Sequence, residues 1–171
     1  KQRKNEIKNV ASKFDFDSVH NLGFPPAELD TLSQKAIITA ISNVVNEIKP
    51  EILYLPNPTD VHTDHHVVFK AGLACTKSFR YPFLRKVRLY ETISETGFDL
   101  HPESESFKPN LWLDVSNYIE EKINIMKCYG GEIKNHPFPR SEKSINALAT
   151  LRGSQVGCEY AEAFISVKEV L

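Results

Sequence analysis

The apolar run Ile52-Leu53-Tyr54-Leu55, closed by Pro56-Asn57-Pro58 and followed by Asp60-Val61-His62-Thr63-Asp64-His65-His66, constrains this chain more than any other segment. Four apolar residues ending in a Pro-rich turn predict a short strand, and Val67 to about Lys77 predicts a helix that begins among the histidines. Strand end, polar loop and helix start are where open α/β sheets place ligands. Neutral imidazole is the commonest protein metal ligand, and a nearby carboxylate fixes its tautomer. By spacing alone the cluster fits a metal site and a solvated helix start equally well.

The 171 residues are enough for one domain with a real core, residues 1–171, and too few for two comfortable ones. The net charge of -1, with both signs interspersed, argues against a nucleic-acid face or an anionic-membrane binder. No apolar run approaches the ~20 residues that span a bilayer, and the start does not resemble a signal peptide; the reading is a soluble, cytoplasmic protein. Cys75, Cys128 and Cys158 are dispersed and in no CxxC pair, which favours small buried hydrophobes over a disulfide framework or cysteine metal site. The chain opens inside a helical pattern (Ile7, Val10, Ala11, Phe14) with no capping residue before it. That uncapped start predicts a piece of something longer.

Leu22-Gly23-Phe24-Pro25-Pro26 is a turn. Asp30 or Thr31 is expected to cap an amphipathic helix with Ala36, Ile37, Ala40, Ile41, Val44, Val45 and Ile48 on one face, ending at Pro50. Glu51 to Leu55 reads as a strand buried on both faces and therefore parallel. With the helix from about Asp64 and a second strand around Val87 to Tyr90 it makes a βαβ unit. Thr92 to Lys108 is a surface loop long enough to suspect function. Leu111 to Leu113 is a further apolar run, Ser116 is expected to cap the helix of Ile119, Ile123 and Met126, and Ser141 the helix of Ile145, Leu148 and Ala149. Ala163 to Val167 is expected to return to the sheet.

Several separated motifs then stand in order: Arg3-x-x-Glu6 with Ala11; Lys49-Pro50-Glu51-Ile52 leading to Asp60-x-His62-x-Asp64-His65; Tyr90-Glu91-Thr92-x-Ser94-x-Thr96; Phe107-x-Pro109-Asn110; Asp114-Val115-Ser116 with Lys122; and Arg152-Gly153-x-x-x-Gly157-x-x-Tyr160-Ala161-Glu162-Ala163-Phe164. Together they resemble the PIG-L/LmbE family of zinc-dependent N-deacetylases, from about Arg3 to Phe164. Thr63 stands where that family usually has Pro. The family's His-Pro-Asp-Asp-Glu motif, which supplies two zinc ligands and the catalytic base, does not occur here and would lie upstream of Lys1.

The resemblance implies an α/β fold, a Rossmann-like three-layer sandwich with a mostly parallel sheet whose N-terminal strands are missing from this chain. It implies zinc as cofactor, with His65 as the metal ligand, His62 as the catalytic oxyanion partner, and Asp64 orienting His62 and favouring its protonated form; a helix N-cap is the competing and compatible reading of Asp64. Arg3 resembles a substrate-binding arginine. The implied substrate is an N-acetylglucosamine-type sugar or glycoconjugate, with no nucleic acid, no membrane span, and room for a homo-oligomer. Asp60 reads as a turn residue or a shaper of the metal loop; His66 is taken as exposed, His20 and His101 as ordinary surface residues, and His136 and Arg140 as the edge of a substrate cleft. Glu91 is either a buried partner for a ligand or for Arg152, or merely exposed at a strand end. Arg152, Gly153 and Glu162 read as structural. A noncatalytic sugar-binding or regulatory relative is the rival reading; a nucleotide-binding domain is disfavoured because no Gly-rich phosphate loop follows a strand.

Overall fold

A computed structural model describes residues 2–100 and 106–171; His101 and the middle of the Thr92 to Lys108 loop lie outside the described residues. The chain forms a mixed α/β structure whose elements are α1 (Gln2–Lys13), α2 (Gln34–Ile48), β1 (Ile52–Pro56), α3 (Thr63–Ala74), β2 (Lys86–Tyr90), β3 (Leu111–Asp114), α4 (Ile119–Met126), α5 (Glu142–Ser154) and β4 (Ala161–Glu169). The four strands lie in the order β1-β2-β4-β3. Strands β1 and β2 are parallel, Ile52 facing Lys86 and Pro56 facing Tyr90, whereas β2 and β4 are antiparallel. The sheet is therefore mixed. None of the described helices is long and apolar enough to cross a membrane.

Two compact units divide the chain: one comprises Leu22–Leu111 and Ala163–Leu171, the other Lys1–Asn21 and Trp112–Glu162. The first unit holds the βαβ motif, with β1, α3 and β2 in succession. Its core joins Val45 of α2, Leu55 of β1, Cys75, Tyr81, Leu84, and Val87 and Leu89 of β2. Each such aliphatic side chain taken from water contributes roughly 1.5–3 kcal/mol. A Cβ on Gly72 would overlap the Leu55 side chain, so this glycine lets α3 lie close against β1. Strand β1 is nevertheless not buried on both faces: it ends the row of four described strands, and Tyr54 is 43% exposed. Only Leu55 and Pro56, at its C-terminal end, are fully buried, unlike the continuous burial of a central parallel strand.

The cap of α2 also differs from expectation. Leu29–Thr31 forms a 3-10 turn, in which the Thr31 hydroxyl donates to Glu28 O (2.7 Å), and the helix starts only after Ser33. Thr31 spends its hydroxyl locally and is not free to cap. Lys49, in the left-handed region at φ 51, ends α2 ahead of Pro50.

In the second unit Val10, Ile119, Ile123, Ile145 and Ala149 are buried. Ser116 does not cap α4, whose N-cap is Tyr118; its hydroxyl instead donates to Asp114 Oδ1 (2.6 Å) in a local turn. Ser141 caps α5, accepting from Ser144 N. At the end of α5 the Gly153 carbonyl accepts from Val156, Gly157 and Cys158 N–H groups, folding the chain back so tightly that a Cβ on Gly153 would meet Cys158 O at 2.5 Å and Glu159 O at 2.7 Å. Those are main-chain atoms with no side-chain freedom to yield. Gly153→Ala is accordingly expected to lower stability by about 2 kcal/mol or more, read from urea denaturation; a change below ~0.5 kcal/mol would show that the turn relaxes without cost.

Candidate functional site

The site in the first unit is built where β1 ends and α3 begins. Asn57 is 2% exposed and its side chain donates to Thr59 Oγ1 (2.5 Å), while Asp60 N–H donates to Asn57 O (3.3 Å), so the loop closes on itself. Asp60 is fully buried. A buried carboxylate is costly unless hydrogen-bonded. Its Oδ2 lies 2.7 Å from His65 Nδ1 and its Oδ1 accepts from the Thr96 hydroxyl at 2.5 Å. Its main-chain carbonyl is hydrogen-bonded to His66 Nε2.

His65 stands in the first turn of α3, and its Nδ1 is committed to Asp60. That leaves Nε2 for a ligand. A carboxylate on the far nitrogen fixes a histidine's tautomer and orientation and raises its basicity toward a metal. His62 is the N-cap of α3: its Nδ1 accepts from Asp64 N (3.1 Å). Because a main-chain N–H can only donate, Nδ1 carries no proton in this arrangement, and the proton of the neutral ring sits on Nε2. The two rings stack, centroids 5.1 Å apart and planes 14° from parallel.

Asp64 does not do what was expected of its carboxylate. Oδ2 accepts from Ala27 N (2.7 Å) and Oδ1 from Leu29 N (3.1 Å). It therefore holds the segment leading to α2, including Ala27 at a positive φ of 59, rather than orienting His62. Only its main-chain N–H serves His62. His66 is half-buried, because the Asp60 carbonyl draws its ring inward; the expectation of an exposed histidine is corrected. His20 is a surface residue bonded to Ser18. At the end of β2, loss of solvent and then the Asp60 charge push the Tyr90 phenol up. The signal for Asp60 was its place five residues before His65. Thr96 lies in the Tyr90-Glu91-Thr92-x-Ser94-x-Thr96 motif, whose pattern assigns it no role.

Arg3, Arg140 and His136 belong to the second unit. Arg3 pairs with Glu132 and with Glu6 (3.5 Å), its guanidinium 5.2 Å from the Tyr129 ring. Arg140 donates to Glu132 through Nη2 (2.9 Å) and to its main-chain oxygen through Nε. Glu132 thus joins two guanidiniums. The Arg3 hydrogen bond, then the charges around it, hold Glu132 below the usual carboxylate range. His136 is exposed and precedes Pro137. Arg152 donates to Gln155.

Among the described residues no group of three or more His, Cys, Asp or Glu comes together in a way that could hold a metal ion. The donor chemistry at His65 fits one metal ligand and not a whole set.

Residues 1–76 match the PIG-L family, described as GlcNAc-PI de-N-acetylase. Among solved structures, the conserved protein TT1542 from Thermus thermophilus is similar, with TM-score 0.77 and 21% identity over 99% of this chain and 74% of its own. The N,N'-diacetylchitobiose deacetylase from Pyrococcus horikoshii has TM-score 0.75 and 15% identity over 98% of this chain and 63% of its own. GalB, the 4-carboxy-2-hydroxymuconate hydratase of Pseudomonas putida, has TM-score 0.64 and 16% identity over 99% of this chain and 72% of its own. At these identities the likeness is one of fold, and the fold accommodates a hydratase as well as a deacetylase.

The lowered Glu132 carboxyl has a consequence for stability. Its contribution is complete above the ordinary carboxylate pKa and is lost as pH falls through the lowered folded value. The pairs are partly exposed, which limits it to ~1 kcal/mol or less. Urea denaturation at a series of acid pH values is expected to show Glu132→Gln less stable than wild type near neutrality, with the gap closing in acid; a gap independent of pH would contradict this.

Proposed function

We propose that this chain, a PIG-L/LmbE family member by its sequence match and its fold, acts as one LmbE-like domain in a zinc-dependent hydrolase. Its reaction is removal of the N-acetyl group from an N-acetylglucosamine-type sugar or glycoconjugate in the cytoplasm. The observation that carries the reading is His65, tied through Nδ1 to the buried Asp60 with Nε2 left for a ligand. Support comes from the PIG-L match and from a deacetylase among the similar structures.

His65 would hold zinc as the donor this chain contributes; a complete catalytic set has three protein ligands. Bound zinc supplies Lewis acidity to the amide carbonyl and to water. This chain's own residues would supply the orientation and one hydrogen-bond donor. Asp60 keeps the His65 ring turned so that Nε2 is its donor. His62, capped at Nδ1, presents its Nε2 proton to the oxygen that gains charge as the amide carbonyl becomes tetrahedral. A neutral, preorganised donor of this kind is worth roughly 2.7–4 kcal/mol in the transition state. Asp64 fixes the N-terminal turn of α3 from which both histidines project. Arg3, carrying several N–H donors beyond those its carboxylates occupy, would meet sugar hydroxyls or an anionic group.

The second reading is a noncatalytic sugar-binding relative, favoured by donor chemistry that, among the described residues, fits one metal ligand rather than a set of three. Zinc analysis together with deacetylation of a panel of N-acetyl sugars separates the two. His65→Ala is expected to lose zinc. His62→Ala is expected to keep zinc while kcat falls by about 100-fold or more, because an oxyanion partner acts mainly in the transition state. Equal zinc loss in the two variants would show the roles to be misassigned, and full activity in metal-free protein would exclude zinc catalysis. Sugar binding without turnover in the zinc-loaded protein would favour the second reading.

A further inference from the structure

We propose that Thr96 is a positioning residue for His65, acting through Asp60. The proposal rests on the reading of His65 as a metal ligand for its purpose, but its geometry stands by itself. A carboxylate on one partner can turn about its terminal torsion, which is soft and two-fold. Asp60 has a different partner on each oxygen, Thr96 on Oδ1 and His65 on Oδ2. Turning the group would break both.

The proton count settles the direction of the Thr96 bond. A hydroxyl has one proton to give and two lone pairs. Thr96 Oγ1 receives the Thr92 N–H at 2.7 Å, and an N–H cannot accept, so the single hydroxyl proton is available for Asp60. The Thr96 N–H in turn donates to Thr92 O at 2.8 Å, closing a two-way clamp across the turn. Thr92 to Thr96 is therefore a small rigid unit. It carries a stiff β-branched side chain whose proton meets a wholly buried carboxylate 36 positions earlier in the chain. Without that proton, Oδ1 would be buried and unsatisfied, and the carboxylate would be free to leave His65. Ring tautomer and ring direction would be lost together. The loop that follows β2 is thus mechanically joined to the candidate ligand.

The test is a long-range 1H–15N spectrum of the full chain, labelled at histidine and kept metal-free at mildly alkaline pH. Wild type is expected to show His65 as one neutral tautomer with a slowly exchanging Nδ1–H. Thr96→Ser, which keeps the hydroxyl, should retain that signal. Thr96→Val, nearly isosteric without the donor, should lose it, the two ring nitrogens averaging while the amide spectrum of the rest of the unit is unchanged. Thr96→Ala provides the same reading should the valine variant not fold. A slow Nδ1–H retained in Thr96→Val or Thr96→Ala would overturn the proposal, as would its loss in Thr96→Ser. Because no metal enters this measurement, its failure is distinct from failure of the ligand assignment, which is read from zinc binding by His65→Ala.

Discussion

The candidate site depends on one buried charge. Asp60 lies wholly out of solvent at the mouth of a βα loop, and an unpaired carboxylate there would cost several kcal/mol. Two contacts make the burial tolerable, His65 on one oxygen and Thr96 on the other, while His66 takes the main-chain carbonyl. Each comes from a segment that must hold its place for the others to form. The strand end, the first turn of α3 and the turn after β2 are brought to one point by that requirement. Gly72 permits it by letting α3 lie against Leu55.

Around this anchor the two histidines separate into different chemical roles although their rings stack. His65 has its Nδ1 on a carboxylate, while His62 has its Nδ1 on a main-chain N–H. The first arrangement turns Nε2 of His65 toward a ligand; the second puts the proton of a neutral His62 ring on Nε2. Neighbouring imidazoles with opposite assignments of the same nitrogen suit a division between holding a metal and steadying developing negative charge. That division rests on the side chains, since the fold by itself admits other reactions, as the likeness to GalB, a hydratase, illustrates.

Much of this was legible in the sequence where the determinants are local. The apolar run before Pro56, the helical stripe from Ala36 to Ile48 and the Ser141 cap depend on periodicity and on near neighbours, and the β1-α3-β2 unit followed from them. The failures are cases where a side chain had competing partners. Thr31 and Ser116 both carry capping hydroxyls, and both spend them on a local turn. Asp64 sits beside His62 in sequence, yet its carboxylate is drawn 37 positions back to Ala27 N–H. Asp60 and Thr96, and likewise Arg3 and Glu132, are partnerships of distant residues. No spacing rule announces such pairs.

In the proposed function His65 offers Nε2 to zinc while Asp60 holds Nδ1. A crystal structure of the zinc-loaded protein, with the metal located by its anomalous scattering, tests this most directly. The account predicts zinc at His65 Nε2, with the Nδ1 contact to Asp60 intact and His62 outside the coordination shell. Zinc bound through His65 Nδ1 with Asp60 displaced, or zinc held by His62 in place of His65, would contradict it.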